Sequence, residues 1–357
     1  MAEIAEVLGG RLSGDGSVTV LRLAHPADIR GSDDLVLAMD PALMPLLANS
    51  PVRAVIVAAD SDVPPSIKAS IAVGRSRVAL SKLTALFEEV VEVPAGIHPT
   101  AIIEKGAVIA SDARIGAFSY IGAEAQVGAG TVIHPQVYVG PKVTIGAGGL
   151  LYSGVRIGAR VQIGKRVIIH FNASIGADGF SFVTPQMSSV EAAKAHGEVG
   201  TSTNDELLRI ASLGAVMIGD DVEIGANSSI DRGTIVSTRI GNGTKIDNQV
   251  QIGHNVEVGE NCMLCGRVGI AGSSIVGNRV VLGGAVGVAD HVKIGDDCVV
   301  MGMSGVAGNI APKSLVGGQP AKPRAKMIED MRNMNRIKGL VERVEELSHR
   351  LKVLEGQ

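Results

Sequence analysis

The sequence predicts a mainly β protein built around a parallel β-solenoid of hexapeptide repeats. Starting at Ile97 and stepping by six, fourteen consecutive positions are aliphatic, and the series ends at Ile175. The rhythm resumes at Ile218 and runs to Val306 with one four-residue slip. The chain of 357 residues has 46 Gly, no Trp and 2% aromatic residues, which suits a narrow interior filled by small and β-branched side chains. Three hexapeptides make one triangular coil.

Residues 1–94 precede the repeats and predict a small α/β domain. Two strand-like runs, VTVLRLA (18–24) and VRAVIVAA (52–59), are followed by the helix-like SRVALSKLTALFEEVVEV (76–93). Such a change from short β-branched runs to a longer helical pattern is typical of a mixed domain. Its end is marked by the Pro and Gly of VPAGIHP, which favour a loop.

Residues 95–312 form the predicted solenoid, which carries one insertion. Gly most often follows the inward aliphatic residue, and we expect it to release the backbone for a tight corner. After IGADGF (175–180) a polar stretch interrupts the rhythm and predicts a loop insertion over about 181–212. Long loops on a rigid scaffold often serve a functional site.

Residues 313–357 predict a C-terminal helical extension that begins at about Ala325. Its apolar residues alternate at spacings of three and four and comprise Ile337, Leu340, Val344, Leu347, Leu351 and Leu354. This seam predicts self-association of chains, and packing against the solenoid of the same chain is the alternative. Lys and Arg outnumber Asp and Glu here, so the tail either docks an acidic partner or is a solvated helix face.

Charge and hydropathy exclude several classes of protein. A net charge of −3 and a pI near 6.3 give no general attraction for nucleic acid. The N-terminus has no basic leader followed by an apolar core, and no run of 18 apolar residues occurs. We therefore expect a soluble, cytoplasmic protein without a transmembrane segment.

Two histidines predict a reactive edge. Residues 36 apart lie on the same edge of a solenoid, about 10 Å apart, because two coil spacings separate them. His254 is two residues past Ile252 and His291 is three past Val288, so the pair suits a shared cleft. His254 can accept a proton near neutral pH, and Asp247 could fix its tautomer. A polar corner residue without chemistry remains the alternative.

Zinc is the other chemistry that the histidines suggest. His98, His134 and His170 recur every 36 residues, but a metal needs ligands that converge at one point, which a column with about 10 Å spacing does not supply. Cys262 and Cys298 share one inward position, so the C-x-x-C spacing of CMLC indicates small core residues. We expect no metal site.

Five motifs carry a resemblance to a known family. They are IGADGF (175–180), IGDDVEIGANSSIDRGT (218–234), IGNGTKIDNQVQIGHNVEVGENC (240–262), IAGS (270–273) and GGQPAKPRA (317–325). With them, nearly the whole chain resembles the UDP-3-O-(3-hydroxyacyl)glucosamine N-acyltransferases of lipid A biosynthesis. The resemblance implies a left-handed parallel β-helix, a cytoplasmic homotrimer and a uridine-binding domain over 1–94.

The resemblance also implies a reaction and the residues for it. A 3-hydroxyacyl chain would pass from the phosphopantetheine of acyl carrier protein to the 2-amino group of a UDP-sugar, with no other cofactor. His254 would be the general base, Asp247 its orienting partner, and the N–H of Gly272 the oxyanion donor. Substrate-binding positions are implied at His291, Asn248 and Asp40.

One stretch departs from the family pattern. The family holds uracil with two aromatic residues around an Asn-Pro pair, whereas the matching LVLAMDPALM (35–44) has Leu37, Asp40, Pro41 and Leu43. Ring stacking is absent there, and Asp40 would repel a pyrophosphate unless a cation intervenes.

Two other functions stay open at this point. Another UDP-aminosugar acyltransferase is one, including the lipid A O-acyltransferase, which typically lacks an N-terminal domain of this kind. A non-catalytic solenoid scaffold is the other. For an acyltransferase, Gly302 and Gly305 in VMGMSGV (300–306) predict room for a long acyl group.

Overall fold

The computed structural model describes residues 1–59, 61–89, 91–201, 205–318 and 322–354. Contacts divide the chain into two units, Met1–Glu92 and Val93–Gln357. Parts of four predicted segments lie outside the described residues: 60 and 90 of the N-terminal domain, 202–204 of the insertion, 319–321 of the GGQPAKPRA motif and 355–357 of the C-terminal extension.

The first unit is a five-stranded sheet with flanking helices. Its elements are α1 (Ala2–Leu8), β1 (Arg11–Gly14), β2 (Arg22–Ala24), β3 (Asp34–Ala38), a 3₁₀ helix (Pro41–Leu47), β4 (Ala54–Ala58), β5 (Ala69–Val73) and α2 (Ser76–Leu86). The strand order is β1-β5-β4-β3-β2, and β1 alone among these is antiparallel to its neighbour. Apolar clusters cover both faces of β3 and β4, which explains their continuous apolar sequence.

The second unit is a three-sided prism whose faces are parallel sheets. The first face contains β6 (Gly96–Ile97), β9 (Arg114–Ile115), β12 (Val132–Ile133), β15 (Leu150–Leu151), β18 (Ile168–Ile169), β23 (Glu223–Ile224), β26 (Lys245–Ile246), β29 (Met263–Leu264), β32 (Val281–Leu282), β35 (Val299–Val300) and β37 (Leu315–Val316). The second face contains β7 (Ile102–Ile103), β10 (Tyr120–Ile121), β13 (Tyr138–Val139), β16 (Arg156–Ile157), β19 (Ser174–Asp178), β24 (Ser229–Arg232), β27 (Gln251–Ile252), β30 (Gly269–Ile270), β33 (Gly287–Val288) and β36 (Gly305–Val306). The third face contains β8 (Val108–Ile109), β11 (Gln126–Val127), β14 (Thr144–Ile145), β17 (Gln162–Ile163), β22 (Val216–Ile218), β25 (Thr238–Ile240), β28 (Glu257–Val258), β31 (Ile275–Val276) and β34 (Lys293–Ile294).

The register follows the repeat, and the predicted aliphatic positions form the core. Paired residues are typically 18 apart, as in Tyr120 and Tyr138. The four-residue slip lengthens that spacing to 22, so that Ser229 pairs with Gln251. Most of the aliphatic residues point inward into one continuous apolar cluster, and Cys262 and Cys298 are fully buried within it, with free thiols.

The chain turns at a corner between one face and the next. The first corner joins the first face to the second, and the second corner joins the second face to the third.

Glycine is needed at these corners for a different reason from the one expected. At Gly122 and Gly225, directly after an aliphatic residue, φ is not positive, but a Cβ would lie 2.6 Å and 2.4 Å from the backbone of the next coil. Positive φ falls two residues later instead, as at Asn255 (61°) and His291 (58°). Close approach of successive coils therefore requires these glycines, and backbone freedom does not.

The insertion is a short hairpin with one helix, and it contacts the second corner. Its elements are β20 (Phe182–Val183), α3 (Ser189–His196) and β21 (Leu208–Arg209), with β20 antiparallel to β21. Lys194 on α3 forms an ion pair with Asp290, with 2.5 Å between Nζ and Oδ2. Ser212 Oγ accepts a hydrogen bond from the Gly179 N–H at 3.1 Å. These contacts place the insertion beside His254's corner.

The chain ends in the helix α4 (Arg324–Leu354). The six apolar residues of its predicted seam are all exposed in the single chain. An exposed seam of this length is typical of a helix that packs against other helices. None of the helices among the described residues combines the length and apolar character needed to cross a bilayer.

Candidate active site

His254 lies on the second corner, directly after β27, and two glycines enclose its ring. A Cβ on Gly179 would lie 2.6 Å from His254 Cβ, and a Cβ on Gly272 would lie 2.7 Å from its Cε1. Real Cβ atoms do not approach other atoms so closely, so neither position accepts a side chain without moving the imidazole. The half-buried ring is therefore held between two flat backbone surfaces.

Asn255 fixes the tautomer of His254. The Asn255 side-chain oxygen accepts the Thr234 backbone N–H at 3.1 Å, and its Nδ2 donates to the Val236 carbonyl at 3.1 Å. These two bonds identify the oxygen, because a backbone N–H can only donate. That oxygen lies 2.9 Å from His254 Nδ1, so Nδ1 carries the proton and Nε2 is the free acceptor.

The His254 ring opens into a cavity of about 620 Å³. The lining residues are Asp178, Gly179, Phe180, Phe182, Arg209, Asp231, Gln251, Gly253, His254, Ile270, Ala271 and Gly272. The insertion supplies Phe182 and Arg209, and the lengthened strands β19 and β24 supply Asp178 and Asp231. The cavity thus combines charged groups, an imidazole and two phenyl rings.

Asp231 is the partly buried carboxylate of this cavity. Burial raises the pKa of the Asp231 carboxyl, while its hydrogen bond with Gln251 and its attraction to His254 act in the opposite direction. A carboxylate beside an imidazole favours the protonated ring. Asp231 can therefore stabilise the imidazolium that forms when His254 accepts a proton.

The backbone N–H of Gly272 is available to bind an oxyanion. The neighbouring amides of Ala271 and Ser273 donate to the carbonyls of Val288 and His254. No acceptor is found for the Gly272 N–H among the residues that the structure describes. The geometry thus brings this amide and the His254 ring into one cavity.

The expected pair between Asp247 and His254 does not form within the chain. Asp247 follows β26 and so lies on the first corner, whereas His254 follows β27 and lies on the second. Asp247 instead borders a separate cavity of about 490 Å³ with His170 and Cys265. Asp247 and His254 are seven residues apart, which on a solenoid places them on different corners. Closeness in sequence therefore did not mean contact between these two side chains.

Asn248 has a structural role that recurs along the solenoid. Its Oδ1 accepts the backbone N–H of Ala226 in the preceding coil at 2.6 Å. Asn242 and Asn278 do the same for Asp220 and Glu260, each at 2.8 Å. The side chain at this corner position satisfies a backbone donor of the neighbouring coil. Asn248 also borders the first-corner cavity beside Asp247.

The remaining predicted substrate residues lie elsewhere. His291 is exposed on the second corner, two coils from His254, and its N–H donates to the Gly272 carbonyl at 3.1 Å. Asp40, in the other unit, caps the 3₁₀ helix by accepting the Ala42 N–H at 2.9 Å. Gly302 and Gly305 are the two glycines expected to leave room for a long acyl group. A Cβ on Gly305 would meet open space, whereas one on Gly302 would lie 3.1 Å from Gly284 O.

Two of the three periodic histidines, His134 and His170, stack on either side of Tyr152. The centroids of His134 and Tyr152 are 4.9 Å apart, and those of Tyr152 and His170 are 5.1 Å apart. His170 Nε2 also lies 3.0 Å from a Glu223 carboxylate oxygen. Within the described ranges, no three His, Cys, Asp or Glu side chains converge as metal ligands would.

The sequence analysis missed Gly179, Asp231, Asn255, Phe180 and Arg209 as residues of this site. The first four lie inside IGADGF, SSIDRGT and IGHN, so the motifs already contained them. The insertion and the slip shift the stacking register from 18, which hid the approach of Gly179 and Asp231 to His254. Asn255 is the next residue after His254 and was passed over in favour of Asp247. Arg209 lies in the aperiodic insertion, which carries no comparable signal.

Known proteins resemble this chain over most of its length. The family model for the bacterial transferase hexapeptide (six repeats) matches residues 237–272. The UDP-3-O-acylglucosamine N-acyltransferase of Ruegeria pomeroyi is 42% identical over 76% of this chain and 75% of its own length. The protein of that name from Syntrophus aciditrophicus is 40% identical over 99% of this chain and 92% of its own.

A solved structure supports the fold. A UDP-N-acetylglucosamine acyltransferase of Arabidopsis is 23% identical and has a TM-score of 0.52, covering 64% of this chain and 73% of its own. At this identity the likeness concerns the fold alone. Together with the three parallel sheets, it confirms the predicted left-handed parallel β-helix.

Proposed function

The chain belongs to the family of UDP-3-O-acylglucosamine N-acyltransferases, and we propose that its His254 cavity transfers a 3-hydroxyacyl chain from acyl carrier protein to the 2-amino group of UDP-3-O-(3-hydroxyacyl)glucosamine. One observation carries this proposal. His254 Nε2, which can accept a proton, shares one cavity with the N–H of Gly272, which has no acceptor among the residues that the structure describes. A proton acceptor and an oxyanion donor at one place are what acyl transfer to an amine needs.

The reaction follows from the roles of these groups. The neutral amine of the sugar attacks the thioester carbonyl, and His254 Nε2 takes a proton from the attacking nitrogen. The N–H of Gly272 donates to the oxygen that becomes negative in the tetrahedral intermediate. When the carbon–sulfur bond breaks, the thiolate leaves and takes the proton from the imidazolium. Asn255 holds the ring and Asp231 stabilises its charged form.

No further cofactor enters this scheme, because a thioester is already activated toward amines. The protein needs to position two reactants and to stabilise one oxyanion, and positioning alone can supply several kcal/mol, at most about 7–11. The acyl donor would arrive on the phosphopantetheine of acyl carrier protein. Acyl carrier protein and UDP-sugars suit a cytoplasmic reaction, and we propose that location.

We propose that the active form is a homotrimer. The outer side of the second face carries Gly269, Gly287 and Gly305, which leave open space for another chain, and the exposed seam of α4 offers a second contact. Basic residues of the C-terminal segment would attract the acidic carrier protein. Size-exclusion chromatography with light scattering would give three chains per particle, and a monomer would contradict this proposal.

Asp247 and Asn248 act, in this proposal, at the contact between copies, because they border a cavity on the other corner. We also propose His291 and Asp40 as substrate-binding residues. Mixing Asp247→Asn chains with His254→Ala chains tests the first point. If Asp247 serves the neighbouring copy, some sites of mixed trimers regain both residues and activity returns. Absence of rescue, or full activity of Asp247→Asn alone, would refute it.

The proposed function is tested by His254→Ala, with His98→Ala as the matched control. His98 is also a solenoid corner histidine, and its Nδ1 accepts the Thr100 N–H at 3.2 Å. Removing the base should lower kcat about 10²–10⁴-fold, while the control stays near wild type. A scaffold would show no such difference. UDP-N-acetylglucosamine as acceptor tests the O-acyltransferase alternative, since that sugar has a free 3-hydroxyl and no free amine. Acylation of this sugar would favour the O-acyltransferase.

A further inference from the structure

The His254 cavity contains one strongly cationic side chain, and it comes from the insertion. Among the described residues that line the cavity, Arg209 is the only lysine or arginine. It lies on β21, and its Nη2 is 2.5 Å from Oδ2 of Asp178 at the end of β19. The other N–H groups of the guanidinium have no partner in the part of the chain that the structure describes. Arg209 therefore keeps donors free on the cavity side.

We propose that Arg209 is the diphosphate-binding residue for the nucleoside diphosphate of the substrate. This inference rests on the proposed function. In the acceptor, the amine is on C2 of the sugar and the diphosphate is on the adjacent C1. With the amine at His254 Nε2, the diphosphate lies within the same cavity and needs a cation there. A guanidinium binds phosphate oxygens through paired N–H groups.

Two other cations near the second corner do not serve this cavity. Arg232 donates to the backbone carbonyls of Gly176 at 3.0 Å and Ala159 at 2.8 Å, so it holds coils together. Lys194 on α3 lines a different cavity. Without Arg209 the cavity would present Asp178 and Asp231 to a doubly charged ligand. Coulomb repulsion would then oppose binding.

The pairing with Asp178 does not prevent this role. The side chains of Arg209 and Asp178 are 59% and 44% exposed, and ion pairs at such exposure contribute little to stability. A phosphate oxygen can therefore replace the Asp178 carboxylate at little cost. In the bound state Asp178 would remain a nearby negative charge, so it weakens the interaction with the diphosphate.

The test compares UDP with uridine as ligands of the full-length protein, by calorimetry and as competitive inhibitors. The variants are Arg209→Met, Arg209→Lys and Asp178→Asn, with Arg239→Met on the third face as control. Arg209→Met should weaken UDP about 10- to 100-fold, because hydrogen bonds to charged groups are lost, and should leave uridine unchanged. Arg209→Lys should fall between, since it keeps the charge without the paired N–H groups.

Asp178→Asn separates the binding role from a structural one. If Arg209 binds the diphosphate, Asp178→Asn should keep or improve UDP affinity, because a competing carboxylate is gone. If the ion pair only holds the hairpin, Arg209→Met and Asp178→Asn should weaken both ligands alike, and the inference is overturned. It is also overturned if wild type acylates the UDP-sugar and Arg209→Met keeps the full preference for UDP over uridine. Wild-type binding of UDP through Arg209 without any acyl transfer would instead refute only the proposed function.

Discussion

The side-chain oxygen of Asn255 lies 2.9 Å from Nδ1 of His254, and two bonds to the 234–236 segment fix its orientation. A neutral amide thus does the work that the sequence suggested for the carboxylate of Asp247. An amide can orient the ring but adds no charge to stabilise the imidazolium. That second task falls to Asp231, which lines the same cavity.

Asn255→Ala should lower kcat about 10- to 100-fold, because His254 loses its preferred tautomer and orientation. Steady-state kinetics with saturating donor would measure the change. Asn261→Ala is the matched control, since Asn261 has a similar positive φ of 54° and lies away from the cavity. Equal losses in both variants would mean that backbone strain, and not the hydrogen bond to His254, causes the effect.

Gly272→Ala should abolish most activity without unfolding the protein. The new Cβ would lie 2.7 Å from His254 Cε1 and 2.8 Å from Nε2, so the imidazole must move away from the reacting amine. Misplacement of about 1 Å can cost about 100-fold in rate. Gly308→Ala, where a Cβ meets nothing within 4 Å, should be silent. Wild-type turnover by Gly272→Ala would exclude close packing of this glycine on the base.

Asp231→Asn should reduce kcat, because the imidazolium that forms during transfer loses a neighbouring negative charge. The thermal stability of the protein should not fall. The pKa of folded Asp231 is raised by burial, so its stabilising contribution is present at low pH and is lost as pH rises through the folded pKa. At pH 8 the variant should therefore unfold at the same temperature as wild type or higher. A carboxylate with a purely structural role would give a lower melting temperature and an unchanged kcat.

Arg22→Met should destabilise the N-terminal unit at neutral pH. Arg22 donates two hydrogen bonds to the buried Asp34, at 2.9 Å and 2.8 Å, and lowers the pKa of that carboxyl to about 2. A depressed pKa stabilises the fold above the unfolded value of 3.8 and ceases to do so as pH falls through about 2. Hydrogen exchange of the β3 amides in the full chain measures this loss of stability, with Arg11→Met as control. If Arg22→Met remains as much less stable than wild type at pH 2 as at neutral pH, the loss of stability has a cause other than the ion pair with Asp34.

Repetition explains how much of this protein could be predicted from sequence. A period of six fixes which residues point inward, and 18 residues per coil fix which residues stack along an edge. His254 and Gly272 are 18 apart, so the repeat places them one coil apart on the same edge, although the role of Gly272 was expected only from the resemblance. The exposed seam of α4 followed in the same way from the spacing of its apolar residues.

The tertiary structure alone decided which groups surround the base. Residues seven apart on a solenoid lie on different corners, which separated Asp247 from His254. The slip and the insertion break the 18-residue register, and so Asp231 and Gly179 reach the imidazole from spacings that no repeat predicts. Arg209 comes from an aperiodic hairpin, whose position depends on its contacts with the second corner. Periodic sequence determines a scaffold because each coil repeats the same packing, whereas the interruptions that complete the site are placed by contacts distant in sequence.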